Sequence, residues 1–461
     1  MRVLQVIHQF PPFSSQGSEV YCQNISNYLS ASGDSVAVFH LSNTQSRKPQ
    51  RFEITDQDGV KLFHCIDRCE YARMAEWPNP FLQQCFSQAI QEFSPDIIHF
   101  HNLLSLGDNL VSLAKKTGPR IVYTLHDFGL ICPKALLLRD TMELCGKNSS
   151  DFFEGCCPTL IRLDAGRFTP LIARVPSLAR WRQFAANQPG RARRKLLQLA
   201  VGLTEKIIGP PETQGFERKK HFFLSATKRI FQDVDLFLAP SKFLLERYVA
   251  CGIPGNKIRY LRYGMKPISS PVRRSFPHDH LQIGYIGAFH AHKGVDLLLT
   301  AFRGLGDRAT LHVHGSSFDS PISEAHFKKI TALHSEGVVL HGRYNNNDIG
   351  KILADLDVVV VPSRWYENSP LTIQEAQMAG VPVITADLGG MAELVQDGVD
   401  GRHFSCNDAV DLRRVLLSIM EDPDQLKTLR ANAPLVPSLE DTSSQLQDIY
   451  QELVSIQAER P

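Results

Sequence analysis

Short apolar runs alternate along the chain with helix-length amphipathic stretches. Runs of about five residues that are rich in β-branched side chains, with helical spacers between them, are typical of parallel strands buried on both faces. Such runs predict strands over Val3–Ile7, Val36–His40, Val60–His64, Ile97–His101, Ile121–Leu125 and Leu236–Ala239, and then over Ile283–Ile286, Leu311–His314, Val338–His341, Val358–Val361 and Val381–Thr385. The alternation occurs twice, so it predicts an α/β protein with two doubly wound, Rossmann-like halves.

The expected domain boundaries follow from a change in composition. Between Gly264 and His280 the chain is rich in Pro and Arg and has weak periodicity, which indicates a linker. We therefore expect an N-terminal domain over residues 1–265 and a C-terminal domain over residues 281–438. The tail, residues 439–461, carries apolar residues at helical spacing and is expected to form a terminal helix.

Composition excludes several classes of protein. Of the 461 residues, 43% are hydrophobic and 21% are charged, which excludes collagen-like, coiled-coil and wholly disordered chains. No apolar run approaches the roughly 18 residues of a membrane-spanning helix, and Val3–Ile7 is too short for a signal peptide. We therefore expect a cytoplasmic protein and leave peripheral contact with the inner face of the membrane open.

Charge is balanced over the chain but not within it. Lys and Arg total 50 against 48 Asp and Glu, yet the stretch 159–229 holds 15 Lys and Arg against 4 Asp and Glu. This basic stretch predicts an insertion at about 134–230 in the N-terminal domain. It is either a solvated helical excursion or a basic amphipathic surface for anionic lipid or an anionic acceptor. Because no nucleic-acid-binding motif accompanies it, we expect no nucleic-acid partner.

The most informative segment is 358–384, where a buried strand, a polar loop and a helix follow one another. Asn368 or Ser369 is expected to cap the helix, with Pro370 in its first turn and Gly380 just beyond its end. The free N–H groups at the start of such a helix favour a phosphate or diphosphate.

Two carboxylates flank the start of this predicted helix. Glu367 precedes it, and Glu375 lies about one and a half turns inside it. Carboxylates repel phosphate, so their natural partners are hydroxyl groups, those of a sugar and of a ribose. A helix cap with two incidental glutamates is the alternative, and the complete strand–loop–helix context argues against it.

A second strand end, at residues 284–295, is rich in glycine and is followed by Lys293. Glycines let the backbone approach a ligand, and a lysine binds phosphate as a point charge. Glycine loops are common, but this one lies one domain-length before the glutamate pair. That position favours a role in binding the same ligand.

Candidate residues in the first half also follow predicted strands. The turn-rich loop 10–19, which contains Gly17, comes after the first strand, where a doubly wound sheet binds ligands. His101 and the pair His126-Asp127 follow two later strands. The first loop lacks a full G-x-G-x-x-G pattern, which disfavours a nicotinamide oxidoreductase.

Together these motifs resemble the retaining glycosyltransferases of family 4, whose GT-B fold places two Rossmann-like domains on either side of a cleft. The resemblance covers most of the chain except about 134–230. It is carried by the glutamate pair Glu367 and Glu375, the loop from Gly287 to Lys293-Gly294, the loop Gly17-Ser18-Glu19 and the run Leu125-His126-Asp127.

The resemblance implies transfer of a sugar from a nucleotide-diphosphate sugar to a hydroxyl of a lipid-linked or saccharide acceptor, in polysaccharide or lipopolysaccharide synthesis. It implies catalysis without a metal or other cofactor, and a terminal helix that crosses back onto the N-terminal domain. The implied catalytic residues are His126, Lys293 and Glu367, and the implied substrate-binding residues are Gly17, Asp127, Gly287, Asn368, Ser369, Pro370, Leu371 and Glu375.

One position departs from the family pattern. The family usually has an arginine just after the strand glycine, paired with the lysine on the diphosphate, and here that position is Ala288. Four side chains are candidate substitutes: Arg343, Arg364, His290 and His292. The departure keeps a second hypothesis open, a GT-B subunit that binds nucleotide or glycan without turnover.

Four of the ten cysteines, Cys132, Cys145, Cys156 and Cys157, lie close together in the sequence. Four thiolates can hold zinc, but adjacent cysteines without a C-x2-C pair fit known zinc ligand sets poorly. Unpaired structural thiols and a structural metal or thiol cluster both remain open.

Overall fold

The computed structural model describes residues 1–14, 16–43, 50–67, 79–139, 142–146, 213–268, 280–315, 328 and 330–458. Residues 1–146 and 229–461 form one compact unit, which contains two β-sheets. Residues 147–228 form a second unit, of which the described part is the beginning of one helix. The predicted α/β fold with two parallel-sheet halves is confirmed.

The first sheet has eight strands in the order β3-β4-β2-β1-β5-β6-β7-β8, all parallel except β3, which runs antiparallel to β4. Its strands are β1 (Arg2–Ile7), β2 (Ser35–Asn43), β3 (Arg51–Gln57), β4 (Val60–Asp67), β5 (Ile97–Phe100), β6 (Arg120–Thr124), β7 (Leu236–Ala239) and β8 (Ile258–Tyr260). Its helices are α1 (Gly17–Ala31), α2 (Pro80–Phe93), α3 (Asn109–Thr117), α4 (Thr213–Asp233) and α5 (Lys242–Ala250).

The second sheet has six parallel strands in the order β11-β10-β9-β12-β13-β14. They are β9 (Leu281–Ile286), β10 (Ala309–His314), β11 (Val338–Gly342), β12 (Val358–Val361), β13 (Val383–Ala386) and β14 (Gly401–Phe404). The helices around it are α6 (Val295–Phe302), α7 (Ile349–Ala354), α8 (Leu371–Met378), α9 (Gly389–Leu394), α10 (Ala409–Glu421) and α11 (Asp424–Ala431).

All eleven strands predicted from apolar runs are present, with ends shifted by a few residues. Three strands, β3, β8 and β14, carry no long apolar run and were not predicted. β3 is the clearest case, because it forms an edge of the first sheet and is largely exposed. Sequence patterns detect buried strands best, since burial is what imposes the apolar run.

The last helix, α12 (Leu439–Ala458), packs on the first half of the chain. Leu446 and Tyr450 are completely buried in the core that α1 and the first sheet form. The chain enters this helix beside the segment that leaves the first sheet, because Met265 N–H donates to the Pro437 carbonyl and Leu439 N–H donates to the Met265 carbonyl. Among the described helices, none is both long and apolar enough to span a membrane.

Candidate active site

The loop between β12 and α8 carries a buried carboxylate, that of Glu367. Lys293 Nζ donates to its Oε1 at 2.6 Å, and Ser363 Oγ donates to the same oxygen at 2.7 Å. Burial alone would raise the pKa of Glu367, but the charge and the hydrogen bond of Lys293, with that of Ser363, outweigh burial and lower the pKa. Glu367 is therefore an ionised group, fixed in place by a partly exposed lysine.

A single glycine brings Lys293 to this loop. Lys293 ends a 3₁₀ turn, Ala291–Lys293, and Gly294 follows with φ of +74°. A Cβ at Gly294 would lie 1.9 Å from the carbonyl oxygen of Pro362. Only glycine permits both this left-handed conformation and this approach to the loop.

The start of α8 differs from the sequence prediction. Neither Asn368 nor Ser369 caps the helix; α8 begins at Leu371, and Pro370 occupies the N-cap position without a side-chain hydrogen bond. The extended ψ of 120° at Pro370 delays the helix, and proline also disfavours a helical conformation at Ser369. The predicted helix end is confirmed, because Gly380 follows the Ala379 C-cap with φ of +55°.

The two residues predicted as caps have other partners. Asn368 Nδ2 donates to the carbonyl oxygen of His126 at 2.6 Å, and Ser369 Oγ accepts from Gln374 Nε2 at 3.2 Å. The Asn368 contact joins a loop of the second half to a strand end of the first half. The loop before α8 thus contacts the backbone of His126, and the first N–H groups of a helix have no acceptor in a preceding turn.

Glu375, on the buried face of α8, has the opposite electrostatics from Glu367. Burial raises the pKa of Glu375 to about 7, and a hydrogen bond from Asn346 offsets only part of that effect. The phenol of Tyr344 lies near enough to interact with this carboxyl. Glu375 therefore changes its protonation state near neutral pH, which Glu367 does not.

His126 follows β6 and both of its ring nitrogens have protein partners. Nδ1 lies 2.6 Å from Tyr263 Oη, and Nε2 lies 3.1 Å from His101 Nδ1. Burial and the nearby His8 lower the pKa of His126 to about 3, so its imidazole is neutral at working pH. His101 Nε2 lies 2.8 Å from Gln5 Oε1, which assigns the bridging proton to His126 Nε2 and makes Nδ1 the acceptor from Tyr263.

The other predicted residues of the first half shape the backbone near His126. Asp127 Oδ1 accepts from Gly129 N–H at 2.6 Å, and the Asp127 carbonyl accepts from Tyr248 Oη at 2.9 Å. Gly17 opens α1, and a Cβ there would lie 3.8 Å from Leu371 Cδ1. The loop after β1 therefore reaches the first residue of α8.

The structure also places the residues around the missing arginine. Gly287 N–H donates to the His314 carbonyl at 3.0 Å, and the Ala288 carbonyl accepts from Tyr285 Oη at 2.8 Å. Of the candidate substitutes, Arg364 donates to Asp296 and to the Ala291 carbonyl. His292, another of the candidates, lies close enough to Glu367 to help lower the pKa of that carboxyl.

The sequence motifs did not single out several of the site residues: Tyr263, Tyr344, Asn346, Ser363 and Gly390. Gly390 N–H donates to the Glu367 carbonyl at 2.9 Å, and a Cβ at Gly390 would lie 1.8 Å from the Asn368 carbonyl oxygen. The adjacent pair Gly389-Gly390 after a predicted strand was the one available signal. The tyrosines give no signal, because their roles depend on contacts between distant segments.

Cys132 and Cys145 are both buried. Within the described ranges, no group of three or more His, Cys, Asp or Glu side chains could hold a metal ion. Cys156, Cys157 and most of the basic stretch 159–229 lie outside the described residues, so both cysteine hypotheses stay predictions.

Two family patterns match the chain in the regions that carry the site. Residues 270–436 match the family described as Glycosyl transferases group 1, and residues 15–144 match Glycosyltransferase Family 4. The chain belongs to the family 4 glycosyltransferases. The group 1 match contains Lys293, Glu367 and Glu375, and the family 4 match contains Gly17 and His126.

Curated relatives of this family 4 glycosyltransferase are distant in sequence. A 41.2 kDa protein in the cps region of Klebsiella pneumoniae is 26% identical over 44% of this chain and 58% of its own length. The amylovoran biosynthesis glycosyltransferase AmsK of Erwinia amylovora is 26% identical over 42% of this chain and 49% of its own length. The matches thus span about half the length of these two relatives.

Solved structures match the glycosyltransferase over its whole length. Sucrose-phosphate synthase from Thermosynechococcus elongatus gives a TM-score of 0.65 at 16% identity, covering 98% of this chain and 99% of that one. HepE of Anabaena, solved with UDP and glucose, gives 0.58 at 15% identity and covers both chains completely. At such identities these likenesses show the GT-B fold alone.

Proposed function

We propose that the protein transfers a sugar from a nucleotide-diphosphate sugar to a hydroxyl of a lipid-linked or saccharide acceptor during polysaccharide synthesis, with retention of configuration. The observation that carries the proposal is the Lys293–Glu367 pair beside the start of α8, with Asn368 bonded to His126 of the other half. HepE was solved with UDP and glucose, and AmsK is named as a glycosyltransferase of amylovoran biosynthesis, which supports the donor and the pathway class.

In this proposal the donor diphosphate lies at the N-terminus of α8. The first-turn N–H groups and Lys293 stabilise the negative charge that develops on the leaving diphosphate, so these groups supply the positive potential without a metal. Lys293 is partly exposed, which lets it contact the phosphate while it remains paired with Glu367. Ala288, which stands where the family usually has an arginine, adds no positive charge to this phosphate site.

The two glutamates then bind different hydroxyl groups of the donor. Glu367 accepts hydrogen bonds from the transferred sugar, because its ionised carboxylate lies on the loop before α8. Glu375 accepts from the ribose, inside α8. His126 is neutral, and both of its ring nitrogens are used by Tyr263 and His101, so it orients the sugar and the Asn368 loop rather than acting as a free base.

We further propose that the protein acts at the inner face of the membrane, where a lipid-linked acceptor is available. The basic stretch 159–229 would meet anionic headgroups there. Deleting residues 165–225, or reversing their charge, should abolish co-sedimentation with vesicles that contain anionic lipid. Equal co-sedimentation of the variant and the wild type would contradict this part of the proposal.

A donor panel tests the central proposal. UDP-, GDP- and ADP-sugars are supplied with crude glycolipid acceptor, and release of nucleoside diphosphate is measured. We expect turnover with one donor class and its loss in Lys293→Ala, Glu367→Gln and Glu375→Gln. Lys427→Ala is the matched control, because Lys427 forms an exposed ion pair with Asp424 in the same half.

Two outcomes would contradict the proposal. Donor binding by calorimetry without any turnover would favour the non-catalytic binding subunit that the Ala288 departure suggests. Wild-type rates in all three site variants would show that the donor site lies elsewhere.

A further inference from the structure

A concave surface lies in the first half, on the face of the first sheet that α1 covers only in part. Helix α1 packs on the amino-terminal portions of β2 and β4, where Val36 and Val38 belong to its core. Beyond Gly17, where α1 begins, the same face continues through Ser42 on β2 and through His64 and Ile66 on β4. This part of the face, which α1 does not cover, lies at the carboxyl ends of parallel strands, where α/β sheets bind ligands.

Residues of this face line a groove of about 540 Å³. The residues that line it belong to β2, β3 and β4 of one sheet and to the loop 11–13. The antiparallel register sets Glu53 opposite His64 and Thr55 opposite Leu62, which places their side chains along one face. A volume of this size is within the range of small-molecule sites.

A buried polar atom in the groove has no partner among the residues that the structure describes. Ser42 lines the groove, is 5% exposed, and its Oγ forms no hydrogen bond with any described residue. A buried hydroxyl left unsatisfied costs free energy, so such atoms in folded proteins usually meet a ligand or water. Within a groove of this volume, Ser42 Oγ is placed to bond to an occupant.

The lining specifies the chemistry of that occupant. Phe13 is 63% exposed and its ring lies 6.2 Å from that of His40 and 6.5 Å from that of His64. Arg51 forms an ion pair with Glu53, with 3.4 Å between Arg51 Nη1 and Glu53 Oε1, so the charge of this arginine is already balanced and an anion is disfavoured. Burial lowers the pKa of His64, so this histidine adds no positive charge at neutral pH.

An exposed aromatic ring beside carboxylates and hydroxyls suits a ligand with an apolar face and many hydroxyl groups. We propose that this groove binds a neutral sugar unit of the acceptor, and this inference rests on the proposed function. The loop that forms its wall continues to Gly17, which lies beside Leu371 at the start of α8. A sugar in the groove is therefore separated from the candidate active site by one loop, as suits the acceptor molecule rather than the donor.

Saturation-transfer NMR on the full chain tests the groove. The probes are the methyl glycosides of glucose, galactose, N-acetylglucosamine, mannose and rhamnose, with sodium glucuronate as the anionic comparison. Saturating UDP is present throughout to occupy the donor site. We expect at least one neutral glycoside to bind, and glucuronate to bind more weakly.

Two variants then locate the binding. Phe13→Ala should weaken the glycoside about tenfold through the lost ring contact. Ser42→Ala should also weaken it, yet leave the melting temperature unchanged or higher, because the substitution removes an unsatisfied hydroxyl. Leu435→Ala is the control, since Leu435 is an exposed apolar side chain of the second half. No glycoside binding, preferred glucuronate binding, or equal binding by both variants and the wild type would overturn the proposal.

UDP affinity separates this inference from the proposed function. If the protein binds a glycoside, Phe13→Ala weakens that binding and no nucleotide binds, the groove proposal is supported and the proposed donor site is contradicted. If the enzyme turns over its donor and the groove variants keep the wild-type KM for the acceptor, the proposed function is supported and the groove proposal is contradicted.

Discussion

At the scale of single residues, the two glutamates around the start of α8 differ in what stabilises their charge. Lys293 and Ser363 bond directly to Glu367 and lower its pKa, whereas Glu375 is buried beside weaker partners and its pKa rises to about 7. Two carboxylates eight positions apart therefore differ in protonation at neutral pH. The local partners decide this, and the spacing of the motif does not.

Glu375 makes the free energy of unfolding depend on pH. Its folded-state pKa of about 7 lies above the ordinary value of 4.5, so the folded state binds its proton more tightly than the unfolded state does. The stabilisation is complete below pH 4.5, and about 3 kcal/mol is lost as pH rises to about 7. Urea titrations across this range measure the slope, which Glu375→Gln should reduce. Identical slopes in the two proteins would contradict the raised pKa.

Tyr263 is a positioning residue for His126. Tyr263→Phe removes the hydrogen bond to Nδ1 and leaves the ring held by His101 alone, so we expect kcat to fall about tenfold with KM for the donor unchanged. Tyr123→Phe is the control, because Tyr123 is equally buried and its hydroxyl bonds to the backbone of Leu103. An equal loss of kcat in the control would indicate general destabilisation instead.

At the scale of elements, the loop between β12 and α8 takes its shape from close backbone contacts. Gly294 lies against the Pro362 carbonyl at one end of the loop, and Gly390 lies against the Asn368 carbonyl at the other, so that neither glycine has room for a Cβ. Glu367 lies between these contacts, with its carbonyl bonded to Gly390 N–H. The loop is thus clamped at two points, which fixes the Glu367 carboxylate relative to Lys293.

Gly294→Ala should disrupt this clamp. Its φ of +74° strains any other residue, and the new Cβ would overlap the Pro362 carbonyl. Gly304→Ala is a matched control, since Gly304 has φ of +75° with no atom within 4 Å of an added Cβ. The control should cost about 1 kcal/mol from conformational strain alone, and Gly294→Ala should cost clearly more and abolish turnover. Thermal unfolding of both variants measures the difference, and equal losses would show that the clamp is unimportant.

The sequence predicted the elements around this loop better than the loop itself. Apolar runs identified β9 and β12, and the glycine and glutamate pattern placed Lys293 and Glu367 at their ends. The helix start was misplaced, because Asn368 and Ser369 are good caps in general, while their actual partners come from distant segments. The groove at Ser42 could not be predicted either, since an unsatisfied hydroxyl is a property of the folded surroundings.

At the scale of the whole molecule, the stability of the first half depends on the end of the chain. Tyr450 of α12 is completely buried against α1, and its Oη lies within hydrogen-bond distance of His99 Nδ1. In turn, His99 Nε2 lies 2.7 Å from Oγ1 of Thr124, which is two residues before His126. The terminal helix is therefore part of the packing that supports the candidate active site.

Tyr450→Ala should destabilise the protein by about 3–5 kcal/mol, the usual cost of emptying a large buried aromatic site. Hydrogen exchange should increase in β1 and β5 of the first half, although the substitution is near the C-terminus. Ile456→Ala on the same helix is the control, because Ile456 is 42% exposed and should cost little. Faster exchange confined to α12 would show that the helix is not needed by the first sheet.

The backbone crosses between the two halves at Met265 and again at Ser438, and these two passages are bonded to each other. The two connections between the halves are therefore held against each other at this point by backbone hydrogen bonds. A Cβ at Gly264 would lie 2.3 Å from the Ser438 carbonyl oxygen, so even the smallest side chain there would push the two passages apart. Only a residue without a side chain at position 264 allows the two connections to pack this closely.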